Sequence, residues 1–146
     1  MTAKEYLNKI QIYWRIMRSY SDRINELYHE ASGLRAIVYE KDRVQTSPEI
    51  KLEKLFEQID AEAQKYIKAR MRYEAEVQKR TQQIAQLDRP EYVEILRLRY
   101  VELDPDGTQK SLEQIACSMH LSFWRTAHLH GEALAAFDRR FKVSKH

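Results

Sequence analysis

Between Leu121 and His130 the chain reads LSFWRTAHLH, and five of its residues, Ser122, Phe123, Trp124, Arg125 and His128, suit contact rather than catalysis. A guanidinium such as that of Arg125 reads guanine O6 and N7 with two parallel donors, or holds a phosphate, and the His128 imidazole donates to either. The rings of Phe123 and Trp124 suit thymine methyls, but exposed aromatics equally anchor a protein interface. Further on, Arg139, Arg140, Lys142 and Lys145 form a basic end whose charges match phosphate oxygens.

Other chemistries find less support in the residues. Cys117, His120, His128 and His130 carry metal-ligand atoms, but their spacing fits no standard zinc site. Glu74 and Glu76 lie two apart and so point to different faces of a helix. No nucleophile–base arrangement is visible, and Gly33, Gly107 and Gly131 are too scattered for a phosphate-cradling loop. The expectation is a binding protein, not an enzyme, with no cofactor, metal or small-molecule substrate. A single cysteine permits no intrachain disulfide and fits a reducing compartment. With no apolar stretch of signal-peptide or membrane-span length, a soluble cytoplasmic protein without membrane contact is expected.

Net charge is +3 over 146 residues, which by itself says little about a polyanionic partner. Its distribution says more. Residues 1–87 hold 16 Lys+Arg against 13 Asp+Glu, whereas residues 88–146 hold nine of each. Within the neutral half, residues 125–146 carry five Lys+Arg against Glu132 and Asp138, so the acids gather upstream. One end of that half therefore suits phosphate while the other faces away.

The elements that position these residues are readable from caps and periodicity. Ser111 and Gln114 form a capping box before the apolar set Leu112, Ile115, Ala116 and Met119. Ser122 caps a following helix whose inward set is Thr126, Leu129, Ala133, Leu134 and Phe137. Almost nothing separates the two, and this spacing suits a helix-turn-helix: Ala116 is small where the second helix crosses, Leu121 plugs the turn, and Leu129 packs back. His120 takes the turn position that needs positive φ. Upstream, Asp88 and Glu91 are spaced as a capping box for a helix through Tyr92, Ile95, Leu96, Leu98 and Tyr100 to about Leu103, and DPDGTQK breaks it.

Before residue 88 the pattern changes to a long repeat. Tyr6, Ile10, Tyr13, Met17, Tyr20, Ile24, Leu27, Ala31, Leu34 and Val38 alternate in steps of four and three. Such a stripe faces a partner helix along its whole length. Leu7, Trp14 and Tyr28 widen it on one side and Ile16 and Ile37 on the other, which suits a bundle. Ser47–Pro48 marks the start of a second helix with a matching seam from Leu52 to Leu87, interrupted by Arg70 and Arg80. The expected fold is all-α: a long antiparallel helical hairpin of coiled-coil type over 1–87, paired into a dimeric bundle, and a helix-turn-helix domain with a basic tail over 88–146.

Three blocks also carry a resemblance. LRLRYVEL (Leu96–Leu103), SLEQIACSMHLS (Ser111–Ser122) and HLHGEALAAF (His128–Phe137) resemble the region-four helix-turn-helix of sigma factors. Together with AKEYLNKI (Ala3–Ile10) and DRVQTS (Asp42–Ser47), they are similar to small phage proteins of Gram-positive hosts, akin to late-gene transcriptional activators of the RinA and ArpU type. The resemblance implies a phage-encoded regulator, active in the bacterial cytoplasm, that binds promoter double-stranded DNA and touches RNA polymerase. A second reading stays open beside it: a coiled-coil interaction protein whose C-terminal corner grips a protein partner.

Overall fold

A computed structural model describes residues 1–40 and 46–145, with side chains described outside 37–48 and 145. Among the described residues there are helices and no strands, so the chain is all-α. Two long helices, α1 (Ala3–Glu40) and α2 (Thr46–Ala85), precede three short ones, α3 (Pro90–Leu96), α4 (Leu112–Met119) and α5 (Phe123–Phe141). A π-helical turn, Arg97–Val101, continues α3, and a 3-10 turn, Val143–Lys145, ends the chain's described part. No described helix is long and apolar enough to cross a membrane. Residues 42–45 of DRVQTS lie outside what is described; α2 begins at Thr46, one residue before the expected cap Ser47, whose side chain is also outside what is described.

The chain divides into two compact units, and the cut runs through α1 and α2. One unit is residues 16–71, the later part of α1 and the earlier part of α2. Here Leu27, Ala31 and Ile59 are buried along the four-and-three seam, and the Arg35 guanidinium sits 5.5 Å over the Phe56 ring. Arg70, expected on that seam, is exposed. A heptad position places Cβ toward the partner helix, but a long stem lets a guanidinium carry its charge out to water. Ile16, Tyr28, Ile50, Ile67 and Met71 also stay exposed on this unit.

The other unit joins residues 1–15 to residues 72–146. Ala3 and Leu7 of α1 and Ile84 of α2 share one buried cluster with Ile95, Leu96 and Tyr100, Ile115 of α4, and Leu129, Ala133 and Phe137 of α5. The expected boundary at residue 87 thus does not coincide with this compact unit. Three short helices bury too little apolar surface on their own, and the base of the long pair completes their core. Leu7 and Trp14, read in the sequence as a flank awaiting a second hairpin, are used inside the chain. Leu7 is fully buried, and Trp14 lies on Gly107 of the DPDGTQK loop.

That loop is held at Gly107. Gly107 N–H donates to the Asp104 carbonyl at 2.8 Å, and Gln11 Nε2 donates to the Gly107 carbonyl at 2.9 Å. Gly107 has φ +84°, and a Cβ there would fall inside the Trp14 ring. Gly107→Ala combines a strained φ with overpacking, so it should destabilise by at least about 1–3 kcal/mol. Chemical denaturation checks this; a variant as stable as the parent would show that Trp14 moves aside freely.

Two boundaries differ from the sequence reading. The expected Asp88 capping box is absent: the N-cap of α3 is Arg89, extended at φ −103°, ψ 128°, with no side-chain cap. The residue before a proline is pushed out of the α region. Pro90 therefore opens the helix and Asp88 falls one residue too early to cap it. The helix expected to run to about Leu103 leaves α geometry after Leu96, and its π turn keeps Tyr100 buried.

Candidate nucleic-acid interface

The α4–α5 corner follows from local hydrogen bonding. Ser111 Oγ accepts the Gln114 N–H while the Gln114 side chain accepts the Ser111 N–H, a reciprocal capping box. At the other end of α4, His120 is left-handed at φ 57°, ψ 39°. The Leu121 N–H donates to the Ala116 carbonyl at 2.9 Å and the His120 N–H to that of Cys117 at 3.3 Å, a Schellman-type closure. Ser122 Oγ then accepts the Arg125 N–H at 3.1 Å, and Thr126 Oγ1 donates to the Ser122 carbonyl at 2.8 Å. Two residues, Leu121 and the extended Ser122, thus separate the αL turn from α5.

The inward face of α5 decides what points outward. Thr126, Leu129, Ala133 and Phe137 are buried, so helical periodicity turns Phe123, Trp124, Arg125 and His128 to solvent. Phe123 is 53% and Trp124 78% exposed, a large apolar surface to leave in water. The Trp124 and His128 rings stack with centroids 6.0 Å apart and planes 5° from parallel. His128 Nε2 lies 2.9 Å from Glu132 Oε1, so the acid one turn on holds the imidazole beneath the indole. Arg125 has no side-chain partner among the described residues. The first turn of α5 also presents backbone N–H groups and the positive end of the helix dipole.

Of the seven contact residues expected from the sequence, five are brought together here: Ser122, Phe123, Trp124, Arg125 and His128. Arg139 and Arg140 are not. They sit in the last turn of the same helix, and 14 residues at 1.5 Å each put Arg139 roughly 21 Å from Arg125. Glu132 stands between the two cationic ends. Sequence reasoning passed over Glu132, though its i,i+4 spacing from His128 is the ordinary signal for such a pair.

His130 does not add to the surface. Its Nε2 is 2.8 Å from the Tyr100 hydroxyl, and the rings stack at 5.7 Å. Burial, with the nearby Arg99 charge, pushes the imidazole down to about 4, and burial pushes Tyr100 up to about 12. Both are neutral at pH 7; Tyr100 belongs to the core and His130 lies half-buried against it. Among the described residues no three of His, Cys, Asp and Glu gather around one point.

Set against known protein families, curated proteins and solved structures, the chain matches none of them.

Proposed function

We propose that the chain is a phage-type transcription regulator that binds promoter double-stranded DNA through α4 and α5, used as a helix-turn-helix. The observation that carries this reading is the first turn of α5: a capped helix start with an unpartnered Arg125 and an outward Trp124. In a helix-turn-helix that turn enters the major groove, where a guanidinium has guanine edges to read. The long helices assemble two copies. The exposed Ile16, Tyr28, Ile50, Ile67 and Met71 of residues 16–71 support pairing with a second chain. No catalytic step, cofactor or metal enters the reading, and the setting is the bacterial cytoplasm.

Phe123 and Trp124 also favour a second reading, in which the corner grips a protein such as RNA polymerase. Two substitutions separate the two. With DNA as partner, Arg125→Ala removes a base contact and should cost about 1–3 kcal/mol on the specific site. Trp124→Ala should then cost less, since a thymine methyl is a small apolar patch. With protein as partner the order reverses, because a buried tryptophan anchors an interface and a rim arginine contributes little. Binding of both variants to fragments of the cognate phage genome and to host polymerase is the measurement. Indifference to DNA at low salt, together with loss of the protein partner on Trp124→Ala, would defeat the DNA reading.

A further inference from the structure

Away from the α4–α5 corner, three arginines converge. Arg89 before α3 and Arg139 and Arg140 at the end of α5 line one cleft of about 370 Å³, together with Gln86, Asp88 and Tyr92. Arg89 reaches Glu91 at 2.6 Å, the Tyr92 hydroxyl at 3.3 Å and Glu132 at 4.0 Å. Arg140 donates to the Gln86 side-chain oxygen at 3.3 Å, and Arg139 has no partner among the described residues. Asp88 is the one acid in the lining, and Glu91 and Glu132 at its edge pair with Arg89, which leaves Arg139 and Arg140 facing Asp88 there.

Planar guanidinium forks match phosphate oxygens two at a time, and grouping them around one opening suits a phosphate better than a point contact. The position of the cleft points to a source. If Arg125 reads bases in a groove about 12 Å wide, a cleft roughly 21 Å along the same helix lies past the groove wall. Only backbone is in reach there. Glu132, at the edge of the cleft 4.0 Å from Arg89 and between Arg125 and Arg139 along α5, repels phosphate on that stretch, so the contact divides into two ends rather than one continuous strip.

We propose that the cleft of Arg89, Arg139 and Arg140 seats a backbone phosphate of the same duplex, outside the segment read by the start of α5. The inference rests on the DNA reading above, and it requires α5 to cross the groove rather than enter it end-on. Arg89 and Gln86 thereby join the interface, and Arg139 and Arg140 act at a distance from the base contacts.

The test uses the full chain, its cognate duplex and a duplex trimmed to the base-read segment, titrated over a range of salt. Arg139→Gln and Arg89→Gln should each weaken binding to the long duplex whatever its sequence, and should reduce the slope of log affinity against log salt by about 0.9. On the trimmed duplex neither substitution should matter, whereas Arg125→Ala should still weaken it. Arg139→Lys keeps the charge and should keep most of the slope; all three positions are exposed or on exposed turns, and circular dichroism confirms that the helices remain. An unchanged slope on the long duplex overturns the cleft while leaving the DNA reading intact. An equal loss on both duplexes also overturns it, since the phosphate then lies within the read segment. Failure of the parent protein to bind DNA at low salt overturns both.

Discussion

Leu7→Ala should lower the stability of the C-terminal helices by about 2–5 kcal/mol, although Leu7 stands near the other end of the chain. Its side chain is fully buried and belongs to the cluster that includes Ile84, Ile115, Leu129 and Phe137. Truncation leaves a cavity lined by side chains from four helices, which can collapse only by moving all of them. Amide hydrogen exchange is the most direct readout: protection in α5 should fall along with that in the first turns of α1. Unchanged exchange in α5 would mean that Leu7 serves the long helices alone. By the same reasoning residues 88–146 in isolation should not hold a stable fold, because Ala3, Leu7 and Ile84 leave with the rest. The complementary fragment, residues 1–87, would carry those same side chains as an uncovered patch at its base, and its assembly would reflect that patch as well as the seam.

The second large effect is expected at Arg80, which is 2% exposed. Its Nε donates to the Tyr6 carbonyl at 2.8 Å, one terminal nitrogen engages the Glu76 carboxylate, and the guanidinium lies 4.2 Å over the Tyr6 ring. Arg80→Ala takes a donor from the Tyr6 carbonyl and leaves Glu76 with Arg72 alone, at 3.6 Å, and removing one member of a buried pair costs about 3–5 kcal/mol. The Glu76 side chain is 21% exposed, so water relieves part of that loss. Arg80→Met combined with Glu76→Gln should cost less than Arg80→Ala alone, since neither charge is then stranded; a double variant weaker than the single one would contradict this account.

The same pair predicts a pH dependence. The hydrogen bond from Arg80 holds the Glu76 carboxyl below the usual range, against its own burial. A depressed folded value stabilises the fold above the unfolded value of about 4.3, and that stability is lost as pH falls through the folded value. Unfolding measured from neutral pH downward should therefore show a shallower acid decline in Glu76→Gln than in the parent. An identical decline would show that other carboxylates govern it.

How much of this was legible in the chain depends on how far each signal reaches. The corner was readable residue by residue: the Ser111–Gln114 box, the left-handed His120, the Ser122 cap and the inward series Thr126, Leu129, Ala133, Phe137 all stand where the sequence put them. These are short-range matters, since caps and αL turns satisfy backbone groups a few residues away, and a helix fixes its own faces. Among the described seam residues of α1, Ile10, Leu27 and Ala31 are buried as the four-and-three spacing required. The proline effect at Arg89 is equally local, since Pro90 by itself keeps the residue before it out of the α region.

What lay beyond the sequence was decided by contacts between distant segments. Arg70 and Arg80 both fall on the seam, yet Arg70 is exposed while Arg80 is buried against the Tyr6 carbonyl and the Glu76 carboxylate. A repeat pattern records position, not the partner waiting there. Leu7 and Trp14 looked like a surface for a second hairpin because nothing near them in sequence shows that Phe137 and Gly107 come to meet that end of α1. The arginine cleft has the same origin: Arg89 and Arg139 share no local pattern, and only the packing of α3 against α5 brings them to one opening. Periodicity and caps determined the elements and their faces; which apolar faces meet, and which charges then stand together, followed from burial that only the folded chain completes.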